Sequence, residues 1–310
     1  MSNYLPWIEK YRPCNLSEIK GHVDIVSVLK RYGGVSSMPN LLFYGPPGSG
    51  KTSTILAIAK EFYKENFQSM VMEINASDER GISVVTGKIK AFVQTSPLAG
   101  SEVKLVLLDE ADALTVEAQS ALRRIMEKNT KTARFCLCCN YSDRISTPIH
   151  SRCTKFRFSG IDYTHMKEKI YEIVKLENIN IQDTAVESII TISNGDARRV
   201  INLLQSLQLQ QKSVITSENV YKMDGSPLPS DIETIYNSLL EDSFKVSFEI
   251  INQIVKTNGY TITDIVTRLS EKLCFSDNPR FMDELSNIEY NLSEGGSEIL
   301  AVGNLVSCFH

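Results

Sequence analysis

One octapeptide constrains this chain more than any other stretch: Gly45-Pro46-Pro47-Gly48-Ser49-Gly50-Lys51-Thr52, which fits the pattern G-x-x-x-x-G-K-[ST]. A short apolar run at 41–44 precedes it. A helical pattern over 52–62 follows, with Ile55, Leu56, Ile58 and Ala59 at helical spacing. A loop of this kind binds phosphate only between a strand and a helix. Its glycines let successive backbone N–H groups wrap an anion without Cβ clashes, and the helix N-terminus adds partial positive charge. Lys51 is then placed to reach β- and γ-phosphates, and the Thr52 hydroxyl to ligate Mg²⁺. The chain must therefore begin as an α/β fold built around a nucleotide.

The rest of the first half agrees. Strand-like runs are expected at 71–74, 103–108 and 134–139, and helices at 83–93 and 116–127. Strands alternating with helices imply a parallel sheet. The apolar run ending at Leu108 puts Asp109 at the C-terminal end of a buried strand, where such sheets bind ligands. Asp109 is the candidate for holding Mg²⁺, and Glu110 for polarising a water that attacks the γ-phosphorus. The third strand ends at Asn140, whose side chain suits a γ-phosphate or the attacking water, and equally a plain turn. Arg152, placed beyond the last strand, and Arg198 and Arg199, at the start of a later helix, suit a phosphate or an ordinary surface ion pair.

Past residue 160 the strand signals stop. Helices are expected at 163–176, 184–193 and 197–209. A linker, Asp224-Gly225-Ser226-Pro227-Leu228-Pro229, comes next, and then four or five further helical patterns. The expected organisation is a nucleotide-binding domain over 1–160, a helical lid over 161–225 and a helical collar over 226–310. No apolar run approaches the ~18 residues that span a membrane, and the N-terminus has no apolar core of a secretory signal. Export is not expected. Seven cysteines in a chain of 310 residues fit free thiols better than a disulfide framework. Cys136, Cys138 and Cys139 share a strand whose successive residues face opposite ways, so buried packing is preferred to metal binding. Charge is uneven: residues 1–160 hold 21 Lys/Arg against 15 Asp/Glu, and residues 161–310 hold 12 against 22. A polyanionic partner would meet the first half.

Taken together, these strings resemble the AAA+ ATPases, and within them the small subunits of replication factor C, the clamp loader. The resemblance extends to Pro6-Trp7-Ile8-Glu9-Lys10-Tyr11-Arg12-Pro13, Asn75-Ala76-Ser77-Asp78-Glu79-Arg80-Gly81-Ile82, Asp109-Glu110-Ala111-Asp112 and Ala121-Leu122-Arg123-Arg124-Ile125-Met126-Glu127. Ser151-Arg152-Cys153 and Gly195-Asp196-Ala197-Arg198-Arg199 complete it. It implies an AAA+ P-loop domain, a helical lid and an all-α collar, with ATP and Mg²⁺ as cofactors. It further implies that Gly45 to Thr52, with Ser53, form the Walker A loop, and that Asp109 and Glu110 form the Walker B pair. Asn140 corresponds to sensor 1 and Arg198 to sensor 2. Ile8, Arg12 and Lys20 lie near the base. Arg152 corresponds to an arginine finger that acts in trans on a neighbouring subunit's ATP. Arg80, Ile82 and Lys90 face primer–template DNA. The implied partners are other loader subunits in a hetero-pentamer, a sliding clamp and DNA, with replication and repair in the nucleus if the chain is eukaryotic, or in the cytoplasm if archaeal or viral.

Lys20 stands where such proteins often carry an aliphatic residue, Thr86 where a basic residue is common, and the collar is short. Two other readings stay open: a subunit that binds nucleotide without hydrolysing it, and another DNA-remodelling AAA+ ATPase.

Overall fold

A computed structural model describes residues 5–77, 82–95, 103–210, 214–273 and 279–310, the side chains of 82–86, 279 and 280 excepted. Five strands, β1 Asn40–Tyr44, β2 Val71–Asn75, β3 Lys104–Asp109, β4 Ala133–Cys139 and β5 Cys153–Arg157, form one sheet in the order β2-β3-β4-β1-β5. Every neighbouring pair is parallel. The helices of the N-terminal half are α1 Trp7–Lys10, α2 Val23–Lys30, α3 Lys51–Tyr63, α4 Phe67–Met70, α5 Ile82–Gln94, α6 Val116–Lys128 and α7 Thr147–His150. They are followed by α8 Tyr163–Leu176, α9 Asp183–Ser193, α10 Ala197–Leu209, α11 Ser217–Asp224, α12 Pro229–Glu241, α13 Phe244–Asn258, α14 Ile262–Leu273, α15 Pro279–Ser293 and α16 Glu298–Phe309.

The strands are continuous apolar runs because both sheet faces are covered. Alternate residues feed two separate cores. Leu41, Phe43, Leu105, Leu107, Cys136 and Cys138 pack on one face with Ile55 and Ile58 of α3. Leu42, Val106, Leu108, Phe135, Leu137 and Cys139 pack on the other with Ile89 of α5 and Leu122, Ile125 and Met126 of α6. The three neighbouring cysteines are thus divided between the two layers, as the period of a strand requires. Each fully buried Leu, Ile or Phe contributes about 1.5–3 kcal/mol of hydrophobic stabilisation. Thr115 caps α6, its hydroxyl accepting from the Ala118 N–H at 3.3 Å.

Because all five strands run parallel, the exits of β1, β3 and β4 lie at one end of the sheet, and the strand order makes these three neighbours. That end is where ligands settle in open parallel sheets.

One expectation needs correction. Arg152 is not beyond the last strand: β5 begins at the next residue and pairs with β1 from Asn40↔Cys153 to Tyr44↔Arg157. Thr154, Lys155 and Arg157 are exposed, so this edge strand carries the charges that protect sheet edges and lacks the apolar run of a central strand. The short helix α11 was likewise not foreseen.

The chain divides into two compact units. The first comprises Met1–Ile179 with Ser193–Gln205, the second Asn180–Ile192 with Ser206–His310. In its described residues the regular structure of the second is helical, apart from a bridge between Ile181 and Ile215. Its core includes Ile232, Ile235 and Leu239 of α12, Ile251 of α13, Leu285 and Ile288 of α15, and Val302, Leu305 and Val306 of α16. Ile262, Ile265, Val266, Leu269 and Leu273 form the buried stripe of α14, at the spacing of one helix face. Pro229 opens α12, a position where its missing N–H costs nothing. Among the described residues no helix is long and apolar enough to cross a membrane.

Candidate nucleotide site

The loop joining β1 to α3 folds over its own lysine. Lys51 Nζ donates to the Gly45 and Pro46 carbonyl oxygens, each at 2.8 Å, and to Asn140 Oδ1 at 3.0 Å. Only 7% of Lys51 is exposed. Burial pushes its ammonium below the ordinary lysine range. A buried cation with only neutral acceptors is electrostatically under-satisfied, and an incoming anion would relieve it. Next along α3, Thr52 Oγ1 donates to Asp109 Oδ2 at 2.7 Å. The exits of three strands therefore meet at one place: β1 through Lys51 and Thr52, β3 through Asp109, and β4 through Asn140.

Two carboxylates fix the surrounding backbone. Asp112 Oδ2 accepts from the N–H groups of both Asn140 and Tyr141, each at 3.1 Å, which holds the β4 exit beside the loop. Asp196 Oδ1 accepts from the Arg198 N–H at 2.7 Å and the Arg199 N–H at 3.3 Å, so it caps α10. The same oxygen lies against Gly48, where a Cβ would come within 1.7 Å of it. The Ala197 N–H also donates to the Gly48 carbonyl, at 3.4 Å. On the other side, His22 Nε2 lies 3.1 Å from the Ser49 carbonyl oxygen, and its ring meets Phe158 edge-on with centroids 4.7 Å apart. Burial depresses the His22 pKa, so a neutral imidazole donating to Ser49 is the favoured form.

Lys51, Thr52, Asp109 and Asn140 border a cavity of about 420 Å³, within the size range of small-molecule and cofactor sites. Its lining includes Pro47, Gly48, Ser49, Gly50, Lys51, Thr52 and Ser53 of the loop and α3, Asp109, Glu110 and Asn140 at the strand exits, and Arg198 of α10. Gly45 and Pro46 contribute through the carbonyls that hold Lys51. Ile8, Arg12 and Lys20 also line it. The N-terminal segment is fastened there: the Trp7 N–H donates to Gln205 Oε1 at 3.2 Å, and Glu177 accepts from Lys10 Nζ at 2.5 Å and from the Tyr11 hydroxyl. Lys20 Nζ donates to Glu168 Oε2 at 3.0 Å, so its methylenes rather than its charge are left to border the cavity.

The remaining candidates lie elsewhere. Arg152 does not line the cavity. It is partly exposed, donates to the Pro148 carbonyl at 2.8 Å and pairs with Glu127. Lys90 is exposed on α5. Arg80, and the side chains of Ile82 and Thr86, fall outside the described residues. Sequence reasoning did not single out Asp112, Asp196 or His22 for the site. An Asp directly before a helix is the one available signal, for Asp196.

Hydroxyl, carboxylate, ammonium and amide converging at a phosphate-loop helix suit a nucleoside triphosphate. Thr52 and Asp109 are oxygen donors of the type Mg²⁺ takes, and they already meet within hydrogen-bond distance.

The whole chain has relatives that share this arrangement of sequence. Residues 41–161 match the ATPase family associated with various cellular activities (AAA). Residues 163–220 match the RFC1-like AAA+ ATPase lid domain, and residues 227–308 the replication factor C C-terminal domain. The chain is 43% identical over 313 aligned residues to the probable replication factor C subunit 5 of Dictyostelium discoideum, covering 98% of this chain and 90% of that one. It is 42% identical to replication factor C subunit 3 of Oryza sativa subsp. japonica, covering 98% and 86%. It is 41% identical to human replication factor C subunit 5, covering 98% and 91%. Among solved structures, the Thermotoga maritima RuvB Holliday junction branch migration motor matches with a TM-score of 0.55 at 21% identity, covering 82% of this chain and 88% of that one. At that identity the likeness concerns the fold alone.

Proposed function

This chain belongs to the replication factor C family of AAA ATPases, and from that premise we propose that it is an ATPase subunit of a sliding-clamp loader. The observation that carries the proposal is the meeting of Lys51, Thr52, Asp109 and Asn140 over a phosphate loop, in a chain related to loader subunits over nearly its full length. Three functional parts are proposed, a nucleotide-binding domain over 1–160, a lid over 161–225 and a collar over 226–310. The family matches at 41–161, 163–220 and 227–308 support that division.

ATP would lie with its phosphates on Gly45 to Ser53 and its base toward Ile8, Arg12 and Lys20. Lys51 would exchange its carbonyl partners for β- and γ-phosphate oxygens. Thr52 and Asp109 would hold Mg²⁺, which, when bound, neutralises charge between the β- and γ-phosphates. Glu110 would orient a water and accept its proton as the water oxygen attacks the γ-phosphorus. The bond from that phosphorus to the bridging oxygen breaks, leaving ADP and inorganic phosphate. Asn140 would hold the water or a γ-phosphate oxygen, and Arg198 would offset the charge spreading over the γ-phosphoryl group.

Arg152 is proposed to act on ATP bound by a neighbouring subunit. Its position outside this chain's own cavity, partly exposed, supports that reading. The sites would then be shared between subunits of a hetero-oligomer, and hydrolysis would respond to clamp and DNA. Arg80, Ile82 and Lys90 would track primer–template DNA, chiefly through backbone phosphates. The excess of basic residues in 1–160 fits that role. The compartment proposed is the nucleus, by kinship with eukaryotic relatives.

The test is steady-state ATP hydrolysis by the purified chain, alone and with partner subunits, primed DNA and clamp, beside Arg152→Ala and Glu110→Gln versions. Low activity alone, stimulated by the full mixture and reduced by both substitutions, is expected. Activity indifferent to DNA, clamp and Arg152 refutes the loader reading. Assembly turnover unchanged by Glu110→Gln would mean that this chain's own site binds ATP without hydrolysing it.

A further inference from the structure

Three side chains at the end of α6 form a cluster outside the nucleotide cavity. Glu127 Oε1 accepts from Arg123 Nε at 3.1 Å. The same carboxylate oxygen pairs with the Arg152 guanidinium, whose Nη1 donates to the Pro148 carbonyl at 2.8 Å. Arg123 first, and Arg152 with it, hold the Glu127 carboxyl below the usual carboxylate range, so it is ionised at neutral pH. Glu127 and Arg152 are each 36% exposed in their side chains, so both remain reachable from outside the subunit.

Arginine has a long, rotamer-rich side chain, and an unrestrained one loses that freedom whenever it binds. Here the guanidinium is held by a carboxylate on a 13-residue helix, by a backbone carbonyl of α7 and, more loosely, by Ser151 Oγ at 3.5 Å. Two cations share one anion, so the cluster keeps a net positive charge toward solvent. The N–H groups of a guanidinium number five; the contacts to Glu127, the Pro148 carbonyl and, at 3.5 Å, Ser151 Oγ leave others for an incoming phosphate. An arginine held this way is preorganised without being neutralised.

We propose that Glu127 is a positioning residue for Arg152: it sets the guanidinium in the geometry with which the chain presents it to a phosphoryl group bound by the adjoining subunit. The proposal rests on the reading of Arg152 as acting in trans. Glu127 does not line this chain's nucleotide cavity, and its effect on turnover passes through Arg152.

The experiment uses the assembled loader with ATP, primed DNA and clamp, comparing wild type, Glu127→Gln, Arg152→Ala and the double substitution in this chain. Gln keeps the size of Glu127 and removes its charge. Glu127→Gln is expected to lower kcat about tenfold, within the range that loosened orientation of a catalytic group produces, with ATP affinity unchanged. Arg152→Ala is expected to cost about a thousandfold or more at the affected site, and the double variant to be no worse than Arg152→Ala. Additive losses in the double variant overturn the proposal, because Glu127 would then act through the fold or another residue. Wild-type or raised kcat in Glu127→Gln overturns it as well, the raised value meaning that the pair restrains the arginine. Full activity of Arg152→Ala would instead refute the trans reading on which the proposal stands.

Discussion

Replacing Gly48 by alanine puts a methyl group where Asp196 already lies. The Cβ would be 1.7 Å from Asp196 Oδ1 and 2.3 Å from its Cγ, on a backbone with φ +65°. Gly50 supplies an internal control: its φ is +91°, yet a Cβ there meets nothing within 4 Å. Both substitutions carry left-handed strain of about 1–2 kcal/mol, offset by about 0.4–1 kcal/mol from the stiffer unfolded chain. Gly50→Ala should therefore cost about 1 kcal/mol. Gly48→Ala adds the collision. Asp196 can swing away only by releasing the Arg198 and Arg199 N–H groups, a lost helix cap of about 1 kcal/mol. If the loop shifts instead, overpacking costs about 1–3 kcal/mol. The expected difference between the two variants is thus about 1–3 kcal/mol. Removing the carboxylate should shrink the difference: in an Asp196→Ala background only the 3.1 Å approach to the residue 196 Cα remains, and the two variants should agree within about 1 kcal/mol. Urea unfolding followed by Trp7 fluorescence reads this, because Trp7 is the single tryptophan, is 7% exposed and belongs to the first compact unit. Equal stability of Gly48→Ala and Gly50→Ala, or a difference undiminished by Asp196→Ala, refutes the argument.

Lys51→Met should abolish measurable ATP binding by equilibrium titration while shifting the Trp7-detected stability by about 1 kcal/mol or less, since a desolvated cation leaves together with its hydrogen bonds. The Cys139 and Cys153 thiols are each pushed up to about 12 by burial. Both should resist alkylation in the native chain at pH 8, where exposed Cys14 reacts; mass spectrometry of the labelled peptides decides it. Their folded pKa values lie above the unfolded ones, so the stability they contribute is complete below pH 9 and declines toward pH 12. Denaturation midpoints that rise over that interval would contradict the assignment. Leu122→Ala, at a residue 2% exposed in the layer beneath α6, should destabilise the first unit by about 2–5 kcal/mol in the same urea assay.

Much of the architecture was legible along the chain because it depends on near neighbours. The phosphate loop, its flanking strand and helix, and the apolar run ending at Asp109 are local patterns whose backbone hydrogen bonds and burial follow from a few adjacent residues. The observed β3, Lys104–Asp109, differs from the expected 103–108 by one residue at each end, and α14 buries the stripe its spacing implies. Strand β5 escaped notice because it lies at the sheet edge, where exposed Thr154, Lys155 and Arg157 dilute its apolar signal.

Distances across the chain were not legible in this way. That Asn140 reaches Lys51 depends on β4 lying beside β1, and that Asp109 meets Thr52 depends on β3 lying next beyond β4. Nothing in the spacing of those residues specifies the order β2-β3-β4-β1-β5, which arises from how helices cover the two sheet faces. The contact of Asp196 with Gly48 and the hold of Glu127 on Arg152 join residues 148 and 25 positions apart. Residue types, periodicity and turn chemistry therefore determined which groups the chain makes available and on what local frames. Only the packed sheet decided which of them share a cavity, because hydrophobic burial is satisfied by the whole fold and carries no local record of who will be neighbours.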